Sequence, residues 1–318
     1  MRLKIIQLTI ICAVIFSGCS LKKGPYQETR VSLGTYVTIK VQDADKGTEE
    51  KRDAANKAFD EVRRIEGLLS SFKEGNIIDR INNSGTNEVF LDEETFYVLE
   101  RSKYFYEASD GAFDITVLPL LEIWGFHEKK YMVPDEDKLK ETLKRIGSDK
   151  MILDNKKKSV RFLEPGMKID LGGIAAGYAV DRAVLVLKEN GINNALVDAG
   201  GDIYCLGEKS KGKKWSVGIR DPRRNNRIIK TLYLKDIAVT TSGTYEKFFE
   251  KGGKRCSHIM DPRTGRPVDN ELSSATIIAG DCLTADALAT AAMVLGRDEA
   301  AELTNELVNV KVVSISKS

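Results

Sequence analysis

Between Lys168 and Gly191 the chain reads Ile169-Asp170-Leu171, then Gly172-Gly173, then Ile174-Ala175-Ala176-Gly177-Tyr178-Ala179-Val180-Asp181, and stops at Asn190-Gly191. This order predicts a strand, a tight glycine turn and a helix, with Asn190-Gly191 as the helix stop. The glycine pair lets backbone approach a ligand closely, and the helix start presents free N–H groups to an anion such as a phosphate. A plain tight turn would explain the pair equally well. The segment is not G-x-G-x-x-G, and no P-loop lysine follows, so the common nucleotide fingerprints are excluded.

Around that unit the periodicity alternates irregularly between helix and strand. Residues 49–70 carry Ala55, Ala58, Phe59, Val62, Ile65 and Leu69 on one helical stripe. A second helix is expected from an N-cap at Asp92 to Ala108, and a third over 134–146. The run 31–41 reads as one strand with Gly34-Thr35 inside it. Further strands are expected at 151–154, 159–163, 195–198, 202–206, 215–220, 228–234, 238–241, 274–279 and 308–315, and a last helix over 284–295. Helices and strands without strict alternation give an α+β (mixed α/β) chain.

At 318 residues with 42% hydrophobic content, the chain is long enough for a substantial core and too apolar for disorder. Five cysteines are too few for a disulfide scaffold, and two histidines exclude a metal site built mainly from imidazoles. The net charge of +2 disappears when Arg2 and Lys4 are set aside, so no bulk attraction to nucleic acid is expected. Those two cations open a leader, MRLK, followed by an apolar run of twelve residues and Ser17-Gly18-Cys19. The run is shorter than the ~20 residues needed to span a bilayer and matches a signal peptide. Phe16-Ser17-Gly18-Cys19 is similar to a bacterial lipobox, so residues 1–18 are expected to be removed and Cys19 lipidated. Residues 19–29 would then form a tether, with the protein exported and held at a membrane. An ordinary signal peptide with a chance cysteine is the alternative. With Cys19 set aside, Cys205, Cys256 and Cys282 allow no more than one disulfide, and Cys205 and Cys256 are expected to be small buried residues.

Three more segments carry chemistry. Asp286 and Thr290 lie one helical turn apart, a carboxylate and a hydroxyl that suit a hard cation such as Mg²⁺. His258 precedes Asp261-Pro262-Arg263-Thr264-Gly265, a turn sequence, and is either a structural imidazole or a general base. Gly111-Ala112-Phe113-Asp114 places an isolated carboxylate in an apolar run, lining a cleft or capping a helix.

Taken together these motifs resemble the FAD:protein FMN transferase (ApbE) family through nearly the whole chain. Leu33-Gly34-Thr35, Leu69-Ser70-Ser71-Phe72, Gly111–Asp114, Asp170–Asp181, Asp198–Asp202, Thr241-Ser242-Gly243, His258–Pro267 and Ala285–Thr290 follow the family's order. The resemblance implies a single catalytic domain over 30–316, ApbE/T-fold-like, with two lobes around a cleft. It implies a transferase that cleaves FAD with Mg²⁺, releases AMP and attaches FMN to a Ser or Thr of acceptor flavoproteins. Typical acceptors are redox-pump subunits with a D-x-x-[ST]-G-A-[ST]-type motif. By the same resemblance Asp286, Thr290 and the Gly173 carbonyl would hold Mg²⁺. Leu33, Phe72, Ala112, Phe113, Asp114, Asp170, Ala176 and Met260 would contact FAD, and His258 would take the acceptor's proton. Ala176 stands where most relatives carry Lys or Glu, so one charged nucleotide contact is missing. The alternatives are an FAD pyrophosphatase giving free FMN and AMP, and a non-catalytic flavin-binding lipoprotein.

Overall fold

The structure, a computed structural model, describes residues 24–222 and 227–316. The leader, Cys19 and the start of the tether lie outside the described residues. The chain opens with β1 (Tyr26–Ser32) and β2 (Thr35–Val41), a hairpin rather than one strand. Its two-residue loop has positive φ at both Leu33 (56°) and Gly34 (68°), the geometry that matches the twist of paired strands. Leucine is an unusual occupant of such a turn, which conceals the reversal in the sequence. Because β1 starts at Tyr26, the last four residues of the expected tether belong to the sheet.

Next come α1 (Thr48–Leu69), α2 (Ile77–Asn82), β3 (Val89–Phe90), α3 (Glu93–Ala108), α4 (Leu118–Ile123), α5 (Glu136–Leu143), β4 (Met151–Asp154) and β5 (Ser159–Phe162). Asp92 caps α3 by accepting from the Thr95 N–H at 2.8 Å, as expected. α6 (Ala175–Glu189) leads to β6 (Ala195–Ala199), β7 (Asp202–Leu206), β8 (Trp215–Arg220), β9 (Ile228–Leu234) and β10 (Ile237–Gly243). The remainder is β11 (Phe248–Lys251), β12 (Lys254–Ser257), β13 (Met260–Asp261), β14 (Arg266–Pro267), β15 (Leu272–Ala279), α7 (Cys282–Leu295), α8 (Arg297–Asn305) and β16 (Lys311–Ser316).

The strands β1-β2-β6-β7-β10-β15-β16 form one seven-stranded sheet in which every neighbouring pair is antiparallel. Alternation along β6 shows its two faces. Ala195, Val197 and Ala199 point into the main core under α1, α6 and α7, whereas Leu196 meets Trp215, Val217 and Leu234 of the β8–β9 hairpin. α7 lies in the middle of the helical layer and is buried almost all round, with Ala285, Ala287, Leu288, Ala289 and Ala291 fully enclosed. A smaller core of Leu120, Trp124, Leu139, Ile146, Cys256 and Met260 sits to one side. Cys205, Cys256 and Cys282 are all buried free thiols.

Residues 168–170 are not part of a sheet. Asn82 replaces a strand partner, donating its Nδ2–H to the Ile169 carbonyl and accepting the Ile169 N–H at Oδ1. The Asp170 N–H donates to the Ile115 carbonyl at 2.7 Å. These bonds satisfy the backbone just before the glycine pair without any ladder.

Candidate functional site

The site is built where α6 and α7 cap each other. Four N–H groups at a helix start need partners. At α7, Asp181 of α6 accepts from Cys282 N and Leu283 N, both at 2.8 Å. The N-cap Asp281 takes Thr284 N with its side chain and Ala285 N with its carbonyl. All four amides are thereby satisfied. In return, Asp286 of α7 accepts from Gly177 N at 3.0 Å in the first turn of α6, whose own N-cap residue, Ile174, supplies no side-chain bond. Only glycine fits at 177: a Cβ there would lie 2.4 Å from the Cys282 carbonyl oxygen and 2.8 Å from the Asp286 Cβ.

This packing brings Thr290 against the glycine turn and Asp286 against Gly177, four residues further on. A Cβ on Gly173 would fall 3.0 Å from the Thr290 hydroxyl oxygen and 3.4 Å from the Phe113 ring. Asp286 is 5% exposed, and its carboxyl is pushed up to about 7, first by burial and then by the negative charges of Glu246 and Asp181. Asp202, on the neighbouring β7, hydrogen-bonds with Thr240 and is raised well above the usual carboxylate range by burial and by Asp286. Carboxyl groups are therefore crowded together here, beside hydroxyl and carbonyl oxygens and away from positive charge. Among the described residues no three His, Cys, Asp or Glu side chains form a metal cage. A cation at this point would rest on Asp286, the Thr290 hydroxyl and backbone oxygen, a hard and incomplete oxygen set that leaves room for phosphate and water. The donor chemistry and the shortage of positive charge both fit Mg²⁺.

On the far side of the Gly172-Gly173 turn, Asp170 accepts from the Ser71 hydroxyl at 2.5 Å and from Gly172 N at 2.9 Å. Ser71 thus fixes the loop that carries Phe72, whose ring is 69% exposed and stacks face to face on His127. His258 is partly exposed, and its backbone N–H and ring Nδ1 both meet the Lys247 carbonyl at 3.0 Å. That contact makes Nδ1 the protonated nitrogen and leaves the Nε2 lone pair free. Burial, reinforced by Lys247, pushes its pKa down to about 4, while Asp170 pulls it up in part. His258 is therefore neutral at pH 7.

The other expected contact residues lie as follows. Asp114 is buried and accepts from Thr116 N and Oγ1, and from Ser148 N and Oγ, so its carboxylate caps the 115–117 turn and ties Ser148 to it. Ala112 and Phe113 are also buried, Phe113 backing Gly173 from the core side. Met260 is buried in the smaller core. Leu33 stands at the β1–β2 turn, half-buried against the main core, with the adjacent Thr35 packed on Gly200 of the Asp198–Asp202 loop. Ala176 is half-buried in the first turn of α6, next to Gly177. Sequence reasoning gave no individual role to His127, Ser71 or Asp181. Their partners lie 55, 99 and about 100 positions away, so no local pattern announces them.

The same architecture recurs in known proteins. The FAD:protein FMN transferase of Treponema pallidum is 32% identical over 321 residues, covering 96% of this chain and 88% of its own. The solved ApbE protein of Thermotoga maritima superposes with a TM-score of 0.85 at 36% identity, covering 92% of this chain and 94% of that one. The flavin transferase ApbE of Vibrio cholerae gives a TM-score of 0.80 at 26% identity, with coverages of 92% and 94%. The family match runs over residues 33–314, and the chain belongs to the ApbE family.

Proposed function

We propose that this protein is an FAD:protein FMN transferase in which Asp286, Thr290 and the Gly173 carbonyl hold Mg²⁺. The observation that carries the reading is the oxygen-lined, cation-deficient cluster at the start of α6. Mg²⁺ bound there would neutralise pyrophosphate charge, which is the main demand of phosphoryl transfer. The chain's own groups supply the rest. The first turn of α6 attracts the phosphates, and Phe72 offers an open aromatic face to a planar ring of FAD. Asp170 holds Ser71, and with it the Phe72 loop, beside the turn. His258 accepts at Nε2 the proton of the acceptor Ser or Thr hydroxyl. The hydroxyl oxygen bonds to the FMN phosphorus, the pyrophosphate P–O bond breaks, and AMP leaves with the bridging oxygen.

The lipobox-like Phe16–Cys19 supports an exported protein lipidated at Cys19, which would act on acceptor flavoproteins at the membrane surface. The test of function is mass spectrometry of an acceptor domain after incubation with FAD and Mg²⁺. The expected result is an acceptor carrying FMN in phosphoester linkage. Release of free FMN and AMP with the acceptor unmodified would instead establish a pyrophosphatase.

A further inference from the structure

Among the described residues, Phe72 is an exposed aromatic with a planar partner on one face only. Its ring centroid lies 4.5 Å from that of His127, and the planes are 8° apart. The two rings come from different parts of the chain. Phe72 follows α1 on a loop held by Ser70 and Ser71, the Phe72 N–H donating to the Ser70 hydroxyl at 3.2 Å. His127 belongs to the loop after α4, which closes on itself through Phe126 N donating to the Leu121 carbonyl and Met132 N donating to the Trp124 carbonyl. Gly125 makes that closure possible: its φ is +77°, and a Cβ would sit 1.9 Å from the Lys130 carbonyl oxygen. Trp124 ties the same loop to the segment after His258 by donating its indole N–H to the Gly265 carbonyl at 2.9 Å.

The imidazole is not locked by hydrogen bonds on its buried edge. His127 Nε2 is enclosed and has no hydrogen-bond partner. An enclosed polar atom left unpaired is costly, and such atoms are kept where another role requires the group. The enclosed imidazole of His127 and the exposed ring of Phe72 each lay a face on the other. We propose that His127 is a positioning residue that presents Phe72 to a planar ring of FAD, the stack becoming three rings deep when the substrate binds. This rests on the flavin-transferase reading above and adds to it a residue outside the motifs that define the site.

The test compares His127→Leu and His127→Phe in the full chain, both of which fill the space, so that loss of folding is not the readout. With the acceptor saturating, His127→Leu should raise KM for FAD roughly three- to tenfold with the loss falling on KM rather than kcat, because offset ring stacking is lost while bulk is kept. His127→Phe should return KM to within about twofold of the parent, since a planar ring is restored. A parental KM in His127→Leu, or an equal rise in both variants, would overturn the proposal. Failure of the parent protein to label the acceptor would overturn the transferase reading instead. In that event FAD affinity, measured by quenching of flavin fluorescence, still decides the stack by the same ranking of variants.

Discussion

Asp181 and Asp286 occupy equivalent positions at the two ends of one helix contact. Each crosses from its own helix to cap the other, and each is pushed up to about 7 mainly by burial. They differ in what is left over. Asp181 spends one carboxylate oxygen on Cys282 N and the other on Leu283 N. Asp286 spends Oδ2 on Gly177 N and stands one turn from Thr290, which packs against the glycine turn. A carboxylate with both oxygens engaged holds the fold. A carboxylate with one engaged is oriented by that bond and retains acceptor capacity for a cation. The comparison separates a structural from a functional aspartate by hydrogen-bond accounting, where burial and pKa make them look alike.

Disrupting both ends together should have the largest effect. Gly177→Ala would press a methyl group into the Cys282 carbonyl and the Asp286 side chain, and a destabilisation of about 3 kcal/mol is expected by chemical denaturation, with loss of FMN transfer. Removing only the structural end should cost less and leave the chemistry in place. Asp181→Ala strips two helix-start amides of their partner, so about 1–2 kcal/mol of stability should be lost while the transfer rate well below the melting temperature stays within about twofold. A large loss of activity in a stable Asp181→Ala protein would erase the distinction between the two carboxylates.

A third contrast lies in pH dependence without metal. For Asp286 the folded pKa of about 7 exceeds the ordinary carboxylate value near 4, so its contribution is present at low pH and is lost as pH rises towards 7. Asp286→Asn keeps an oxygen for Gly177 N and removes the titration. Its melting temperature in chelator should fall less than the parent's between pH 4 and 8. His258 acts in the opposite sense, since its folded pKa of about 4 lies below 6.5 and costs stability as pH drops through that window. His258→Gln should therefore lose less stability than the parent on acidification from pH 6.5 to 4. Adding Mg²⁺ at pH 8 should raise the parent's melting temperature and leave that of Asp286→Asn unchanged.

The sequence showed most of the helical layer because its helices alternate buried and solvated residues strongly. α1, expected over 49–70, is found at Thr48–Leu69, and α3 keeps its Asp92 cap. α8 escaped notice because only Ala300, Leu303 and Thr304 of its residues are buried, too few to mark a stripe. The β1–β2 turn was hidden by a leucine in a left-handed conformation, and the Ile169 segment looked like a strand because Asn82 does what a neighbouring strand would do. At the site, Asp286 and Thr290 were readable because they stand four positions apart on one helix. The reciprocal caps and the Phe72–His127 stack were not, since each depends on tertiary packing between distant segments. Asp114 shows the reverse case: a motif position whose carboxylate proves to be wholly engaged in capping.

The most direct test is AMP released per FAD in the presence of Mg²⁺ and acceptor, measured in parallel for the parent, Asp181→Ala and Asp286→Asn. The parent and Asp181→Ala should each release one AMP for every FMN found on the acceptor, and Asp286→Asn should release none. Release of AMP by Asp286→Asn at the parental rate would contradict the assignment of Asp286 and of the metal site built around it.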